Sequence, residues 1–435
     1  MYAAAQGCRG SARSEAPVRF LHASSCSTQA MQYAMKRVAI FRADLLPISE
    51  TFVRDQASAL NNWQPVLLGR REVAAGLETP GIPREIVPET RNGVAGAVRF
   101  WLCRPDQRLV EQLRAAEVDL VHAHFGTNAT EVWPSVKAAG LPMLVTLHGY
   151  DINVHRTWWE RGHAGVRSQI YPRRLLIMAR DPAVRFVAVS QAVKRRAMDY
   201  GIDEKKISLA HIGVDMRRFG PGEVPLSRRS KRILFVGRMV EKKAPLLLIR
   251  VYSELRKELP EAELAMIGEG PLLAAAKRLA AELGAPVEFL GARRSQDVLA
   301  QMHKAKVFCL PSITAANGDA EGLPISLLEA QACGVPVVTT DSGGTEEALK
   351  RGVTGFACKE GAVQEFVAGL RRVLTDDQFA ARAAIEAPRF VSGMFDIREC
   401  TRKLELEYDR LALPGRPAGP TRSASPHSQE GTAEA

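Results

Sequence analysis

The stretch EGLPISLLEAQACGVPVV (residues 321–338) predicts a loop, a short apolar helix and a buried strand, and it carries two carboxylates. Pro324 suits the first turn of a helix, where its missing N–H is not needed, and Gly334 followed by Pro336 ends the helix. The predicted helix is about ten residues long. Glu329 then lies near its sixth position, between Leu and Ala side chains, and Glu321 stands in the loop before it.

A carboxylate buried without partners costs several kcal/mol or takes up a proton, so the position of Glu329 requires an explanation. Ligand hydroxyls such as a ribose diol would satisfy it, and Glu321 can face the same cavity. The amides of Gly322, Leu323 and Ile325 add a helix N-terminus, which favours an anion. The simpler alternative is an ion pair between Glu329 and a nearby Arg or Lys, because structural ion pairs are commoner than binding sites.

A second motif, FVGRMVEKKAP (235–245), places Gly237 and Arg238 at the end of a predicted strand and Lys243 five residues later. A glycine that permits close approach, followed by two cations, predicts a pocket for a diphosphate. The P-loop signature and the G-x-G-x-x-G fingerprint are missing, which disfavours an ATPase and a hydride-transfer enzyme. There is no G-x-S-x-G either, so a hydrolase triad has no anchor.

Predicted strands alternate with helical stretches in two series along the chain. In the first they are 36–41, 119–125, 142–149, 185–190 and 206–215, and in the second 232–238, 262–270, 286–291, 307–312 and 335–340. Such alternation predicts an α/β fold with two doubly wound parallel sheets. The segment FGPGEVPLSRRSKR (219–232) has the composition of a linker. Because ligands bind beyond the carboxyl ends of parallel strands, we expect a cleft between the two domains.

The length and composition of the chain limit the classes of protein to which it can belong. The chain has 435 residues, of which 46% are hydrophobic and 25% are charged, as in globular proteins long enough for two domains. Its seven cysteines are scattered, which disfavours a disulfide framework or zinc ribbon and fits a reducing compartment. No apolar run approaches the roughly 18–20 residues of a membrane span. We expect residues 1–35 to be a disordered or non-native extension and 414–435 a disordered tail.

Positive charge is concentrated between Arg156 and Arg196, where Glu160 and Asp181 are the only acids among ten Arg and Lys residues. This excess, within a net charge of +11, suits anionic lipid headgroups or phosphate-bearing substrates. A solvated basic helix face explains it equally well. Nucleic acid is not an expected partner, since no recognised binding motif accompanies the charge.

Taken together, the motifs resemble glycosyltransferase family 4, a family of retaining, nucleotide-sugar-dependent enzymes. The likeness covers residues 36–412 and rests on Gly-Arg with Lys five residues on, G-x-G-P (268–271), FLG (289–291), LPS (310–312) and Glu-x7-Glu at 321 and 329. ISETFV (48–53), VHAHFG (121–126) and VTLHGYDIN (145–153) resemble the branch that assembles bacterial exopolysaccharides of the colanic-acid type.

The resemblance implies the GT-B fold, in which two Rossmann-like doubly wound domains face each other across a cleft. The implied parts are an acceptor-side domain at 36–220, a linker at 221–231, a nucleotide-sugar-binding domain at 232–394 and a helix at 395–413 that crosses back to the first domain.

It also implies roles for individual residues. The implied catalytic residues are His148, Arg238, Lys243 and Glu321. The two cations would bind the donor diphosphate, Glu321 the hydroxyls of the transferred sugar and Glu329 the ribose, while His148 would reach across the cleft towards donor sugar and acceptor. The implied donor-binding residues are Gly237, Arg238, Lys243, Leu290, Gly291, Glu321, Gly322, Leu323, Ile325, Ser326 and Glu329, with Leu290 and Gly291 beside the base and Ser326 near the phosphates.

The implied reaction moves a sugar from a UDP- or GDP-linked donor to a glycan or lipid-linked glycan, in exopolysaccharide biosynthesis at the cytoplasmic face of the cell membrane. No cofactor is expected. No metal is expected either, because Asp319 and Glu321 lie beside a cationic pocket and His122 with His124 has no third ligand at suitable spacing. The alternatives are a non-catalytic protein that binds sugar nucleotides and a soluble storage-glycan or disaccharide synthase.

Overall fold

The computed structural model describes residues 35–47, 50–74, 76–88 and 100–412. The extension expected at 1–35 and the tail expected at 414–435 therefore lie outside the described residues, apart from Met35. None of the helices in these described ranges combines the length and the apolar character needed to cross a bilayer.

A seven-stranded parallel sheet forms the first half, in the order β3-β2-β1-β4-β5-β6-β7. Its strands are β1 (Lys36–Leu45), β2 (Trp63–Glu72), β3 (Arg84–Ile86), β4 (Leu120–His124), β5 (Met143–Leu147), β6 (Val184–Ala188) and β7 (Ile207–Leu209). A six-stranded parallel sheet forms the second half, in the order β10-β9-β8-β11-β12-β13. Its strands are β8 (Arg232–Val236), β9 (Glu263–Ile267), β10 (Val287–Gly291), β11 (Val307–Leu310), β12 (Val337–Thr340) and β13 (Gly355–Cys358). The predicted fold class, two parallel-sheet α/β domains, is confirmed.

Helices connect the strands and bury their apolar sides on the sheets, as parallel topology requires. In the described ranges they are α1 (Thr51–Ser58), α2 (Gln107–Ala115), α3 (Gly126–Ala139), α4 (Tyr150–Asn153), α5 (Arg156–Glu160), α6 (Tyr171–Ala179), α7 (Gln191–Asp199), α8 (Pro245–Glu258), α9 (Leu273–Glu282), α10 (Ser295–Lys304), α11 (Ile325–Ala332), α12 (Val363–Thr375), α13 (Asp377–Phe395) and α14 (Ile397–Leu411). The strands β4 and β5 are buried along their whole length, as expected of strands inside a parallel sheet.

The sequence interpretation missed three strands, β2, β3 and β13. Pro65 and Gly69 interrupt the apolar pattern of β2, yet that strand pairs with β1 from Lys36 to Leu45. The strand expected at 206–215 is also shorter than predicted, since only Ile207–Leu209 pairs with a neighbouring strand of the sheet, and Val214 forms an isolated bridge with Asp396. Neighbouring strands, rather than local propensity, decide these segments.

The helix of the opening motif, α11, has eight residues rather than about ten. Pro324 is its N-cap, one position before the first helical residue, with ψ near 97°. Glu329 is consequently the fifth residue of α11, on the same side as Ser326 one turn earlier.

The last helix, α14, packs against the first sheet at the start of β2. Glu405 is 2% exposed, and its carboxylate accepts hydrogen bonds from the amides of Asn61, Asn62 and Trp63 at 2.7–3.1 Å. The ring of Tyr408 meets that of Trp63 edge-on with centroids 5.3 Å apart. This contact ties the end of the described chain to its beginning.

We predict that Glu405→Ala lowers the free energy of unfolding by about 1.5–3 kcal/mol, because it leaves buried amides without their charged acceptor. Glu399→Ala is the matched control, since Glu399 lies on the same helix and pairs only with exposed basic residues. The control should change stability by less than about 0.5 kcal/mol in the same urea titration. Equal effects of the two substitutions would contradict the proposed anchoring.

Candidate functional site

The two halves meet where β5 ends and the loop before α11 begins. A Cβ on Gly322 would lie 1.9 Å from the carbonyl oxygen of His148, and one on Gly149 would lie 3.0 Å from the Gly322 backbone. A side chain at Gly322 is therefore excluded by the opposite backbone. The side-chain amide of Asn153 also donates to the carbonyl oxygen of Ala320 at 3.0 Å. These contacts place His148 directly against the Glu321–Gly322 loop.

Two lysines of the short turn Glu241–Lys243 hold the two acids of that loop. Lys243 Nζ lies 2.7 Å from Glu321 Oε1, and Lys242 Nζ lies 3.0 Å from Asp319 Oδ1. Ser312, after β11, donates its hydroxyl to Glu321 at 2.7 Å. Burial opposes ionisation of Glu321, but Lys243 and then Lys242 outweigh it and lower the pKa of that carboxyl. Glu321 is therefore a fixed carboxylate that accepts hydrogen bonds.

Asp319 differs from Glu321 in the direction of its pKa shift. Burial raises its pKa above the ordinary value, although Lys242 opposes the shift. Each acid has a lysine partner, and no group of three His, Cys, Asp or Glu side chains in the described chain is placed to hold a metal ion.

Arg238 follows β8 and is exposed, and no described side chain pairs with it. It lies close enough to Tyr150 of the first half to influence that hydroxyl: burial and then Asp319 raise the pKa of Tyr150, and Arg238 opposes the shift. Gly237 precedes it, and its amide donates to the Ile267 carbonyl oxygen at 3.0 Å. The guanidinium is thus free to bind a ligand at the mouth of the cleft.

Glu329 has the unusual environment that its sequence position predicted. Among the described residues no hydrogen bond or ion pair reaches its carboxylate, and burial raises its pKa to about 7. Arg218 counters the shift and Asp55 reinforces it, but these two residues pair with each other at 2.7 Å. The alternative of a structural ion pair for Glu329 is therefore not observed.

The N-terminus of α11 presents unused donors. No acceptor within the described part of the chain takes the amides of Leu323, Ile325 and Ser326. The Ser326 hydroxyl donates to the carbonyl oxygen of Val236 at 3.2 Å, which fixes the helix against the end of β8. These amides can receive an anion, whereas the Ser326 proton is already engaged.

Leu290 and Gly291 end β10 on the far side of β9 from Arg238. The amide of Gly268 donates to the Gly291 carbonyl oxygen at 2.9 Å, and a Cβ on Gly268 would lie 1.9 Å from the oxygen of Gly237. The loop after β9 is thus packed against the loop that carries Arg238, and Gly268 must remain without a side chain.

His148 lies among aromatic rings at the end of β5. Its Nε2 is 3.0 Å from His124 Nδ1, and its ring is 4.4 Å from that of Phe125 and 5.0 Å from that of Phe52. Burial, followed by the charge of Arg42, lowers the pKa of His148 well below the ordinary value. The imidazole is consequently neutral near pH 7.

Sequence reasoning missed Asp151, which is fully buried and positions this loop. Its carboxylate accepts hydrogen bonds from the amides of His148, Gly149 and Gly126 at 2.7–3.0 Å. Burial raises the pKa of Asp151 to about 6 against the effect of these amides. The sequence signal that could have indicated this role was an aspartate two residues after the glycine at the end of a predicted strand.

A continuous series of contacts joins most of the predicted site. Ser326 binds the end of β8, the Lys243 side chain passes Gly237 and reaches Glu321, and the next residue, Gly322, touches His148. Glu329 is connected through α11. Leu290 and Gly291 are connected to this series through the loop after β9 rather than through direct contact with the charged residues.

Comparison with known proteins identifies what this chain resembles. Residues 50–218 match the family model described as Glycosyltransferase Family 4, and residues 221–390 match Glycosyl transferases group 1. The amylovoran biosynthesis glycosyltransferase AmsK of Erwinia amylovora is 27% identical over 300 residues, which are 68% of this chain and 71% of that protein. The putative colanic acid biosynthesis glycosyltransferase WcaL of Salmonella typhimurium is 31% identical over 281 residues, covering 62% of this chain and 65% of that protein.

Among solved structures, Anabaena Alr3699/HepE in complex with UDP and glucose aligns with a TM-score of 0.72 at 20% identity. The alignment covers 86% of this chain and 100% of that one. This likeness shows a shared two-domain fold.

We predict that Glu329→Gln stabilises the protein at pH 8 and has almost no effect near pH 4.5. Because the folded state raises the Glu329 pKa from 4.5 to about 7, the wild type loses stability as pH rises through this interval, by up to about 3 kcal/mol. The difference between variant and wild type should therefore grow between these pH values and then level off in chemical denaturation. Glu282→Gln, at an exposed site, should show no such growth, and a pH-independent difference at Glu329 would refute the assignment.

Proposed function

The chain belongs to glycosyltransferase family 4, as its motifs indicated, and on that premise we propose that it transfers a hexose from a nucleoside-diphosphate donor to a glycan or lipid-linked glycan acceptor, with retention of configuration. The observation that carries the proposal is the arrangement at the cleft. In the described residues no side chain pairs with Arg238, no acceptor takes the amides at the N-terminus of α11 and no partner reaches the Glu329 carboxylate, while Lys243 pairs with Glu321 in the loop before α11.

The diphosphate would lie between Arg238 and the N-terminus of α11. A guanidinium can bind two phosphate oxygens, and the free amides of Ile325 and Ser326 add donors at the positive end of a helix. Lys243 would supply a further positive charge near the diphosphate. Together these groups would stabilise the negative charge that develops on the departing diphosphate.

The ribose would bind at Glu329. Two hydroxyls that donate to this carboxylate would replace the water it loses on burial and would restore its charge, because hydrogen bonds to the charged form lower a pKa. A site built to accept hydrogen bonds from a diol discriminates against ligands that lack them.

The transferred sugar would lie between Glu321 and His148. Glu321 is held ionised by Lys243 and Ser312, so it would accept hydrogen bonds from sugar hydroxyls rather than donate a proton. The acceptor hydroxyl would attack from the side of the leaving group, and the departing phosphate would take its proton. Retention follows from this geometry, and the C1–O bond to phosphate breaks as the new C1–O bond forms.

The relatives support an acceptor in exopolysaccharide biosynthesis, since they are named for amylovoran and colanic acid. The non-catalytic alternative is less favoured, because the charged residues expected of an active site are all present in the sequence and two of them, Lys243 and Glu321, are in contact. The alternative of a soluble storage-glycan or disaccharide synthase differs in its acceptor, and such an enzyme would work without binding a membrane.

We also propose that the basic segment 156–196 contacts the anionic inner face of the cell membrane. A cavity of about 280 Å³ is lined by Arg156, Arg173, Leu176, Ile177 and Arg180. Arg173, Ile177 and Arg180 follow one another along one face of α6 and its C-cap, and Ile177 is 42% exposed. Arginines that flank exposed aliphatic side chains suit phosphate headgroups with acyl chains beneath them.

We predict that UDP or GDP stabilises the protein against heat and that ADP does so less. A ligand at 100 times its dissociation constant adds about 2.7 kcal/mol. Arg238→Ala and Glu329→Ala should lose most of this shift and of sugar transfer, whereas Arg382→Ala, an exposed arginine of α13, should keep both. Stabilisation without release of nucleotide from UDP-glucose or GDP-mannose would favour the non-catalytic alternative. Unchanged turnover in Glu329→Ala would refute the site.

We predict that the protein binds vesicles containing phosphatidylglycerol and that binding weakens with salt. Replacing Arg173 and Arg180 by Ser should weaken it by about 30-fold, since each basic residue near an anionic surface contributes about 1 kcal/mol. Replacing Arg382 and Arg389 by Ser removes the same charge from the second domain and should have little effect. Equal binding to phosphatidylcholine vesicles would contradict the proposed membrane contact.

A further inference from the structure

Three histidines line the carboxyl ends of β4 and β5, and the function proposed above uses only one of them. His122 and His124 project from the same side of β4, with ring centroids 4.3 Å apart. His124 stacks on His148 with centroids 5.2 Å apart and an interplanar angle of 23°. The ring of His124, which is 1% exposed, is therefore held between the other two.

The outer ring of this series is fixed at both nitrogens. His122 Nδ1 lies 2.7 Å from the Tyr408 hydroxyl, and its Nε2 lies 2.7 Å from the Thr146 hydroxyl. Hydroxyl groups can donate or accept, so they satisfy either tautomer of His122. His122 cannot rotate without losing both partners, so it presents a fixed ring to His124.

The protons of the inner pair can be assigned by elimination. Burial lowers the pKa of both His124 and His148, so each neutral ring carries one N–H. The 3.0 Å contact between His124 Nδ1 and His148 Nε2 requires that one nitrogen donates and the other accepts. His124 Nε2 is sealed from solvent and has no partner in the described chain.

If His148 donated, His124 would carry its proton on Nε2, and a buried N–H would lack an acceptor. Such an orphaned donor costs about 1–3 kcal/mol. If His124 donates from Nδ1, only a lone pair is left unpaired, which proteins tolerate more readily than a bare N–H. The second arrangement is thus favoured, and His148 then carries its proton on Nδ1.

We propose that His124 is a positioning residue that holds His148 in the Nδ1–H tautomer, so that His148 offers a hydrogen-bond donor to the sugar nucleotide rather than a base. His148 Nδ1 has no partner among the described residues and is not sealed from solvent, in contrast to His124 Nε2. The tautomer rests on the contacts and burial of the two rings, and only its use towards a donor rests on the proposed function.

Nitrogen-15 spectroscopy of the full chain labelled at histidine tests the tautomer without any ligand. Two-bond proton–nitrogen correlations should show His148 protonated at Nδ1 and bare at Nε2, with His148→Ala assigning its signals. His124→Phe should let the Nε2–H form of His148 appear. Protonation of His148 at Nε2 in the wild type would overturn the proposal.

Two substitutions of His124 separate positioning from packing. His124→Asn keeps an N–H donor near the place of Nδ1 but loses the ring, whereas His124→Phe keeps a stacked ring without a donor. Positioning predicts that Phe lowers kcat by about 10- to 100-fold with little change in the KM for the donor, and that Asn recovers most of the rate. If His124 acts only through packing, the Asn variant should instead be slower than the Phe variant.

The rate is measured as release of nucleoside diphosphate from UDP-glucose or GDP-mannose, whichever the wild type cleaves, and melting temperatures verify that both variants fold. A Phe variant as active as the Asn variant would overturn the positioning role. A wild type that cleaves neither donor would refute the proposed function, while the nitrogen-15 result would still decide the tautomer. The nitrogen-15 spectrum of the wild type also decides the tautomer if a variant fails to fold.

Discussion

The buried ion pair between Lys243 and Glu321 is the interaction on which the site depends. It joins the turn after β8 to the loop after β11, and Ser312 adds a third contact to the same carboxylate. Once this loop is fixed, Gly322 and the first turn of α11 have defined positions. Removing either charge would leave the other buried and unpaired, which is far costlier than losing a surface pair. The candidate site is therefore supported by an electrostatic contact between two residues that the proposed mechanism also uses.

The second constraint is the close approach of the two halves. Gly322 touches the His148 carbonyl, and Glu347 of the second half accepts the amide of Gln191 at 2.5 Å and lies 3.0 Å from His211 of the first. These contacts hold the two halves against each other. Buried charges near the contact, such as Glu321, act in a medium of low dielectric constant, where electrostatic interactions are stronger than in water.

The histidines illustrate how far a local pattern can be interpreted. The spacing of His122 and His124 on one strand predicted that their side chains share a face, and the structure has their rings 4.3 Å apart. Spacing could not show that α14 would bring Tyr408 to one ring or that β5 would bring His148 to the other, because both partners are distant in sequence.

The sequence alone determined the alternation of strands and helices and the glycines at the strand ends. It also determined that two acids, Glu321 and Glu329, and two cations, Arg238 and Lys243, occur in motifs that follow or end predicted strands. Both kinds of information are local, because they come from periodicity and from the chemistry of single residues. Tertiary structure alone decided that β2 is a strand despite Pro65 and that Asp151 organises the loop of His148. It also decided that Glu321 has an ionic partner whereas Glu329 has none among the residues that the structure describes. The reason is physical: pairing partners, burial and the pKa values that follow from it are set by residues that meet only when the chain folds.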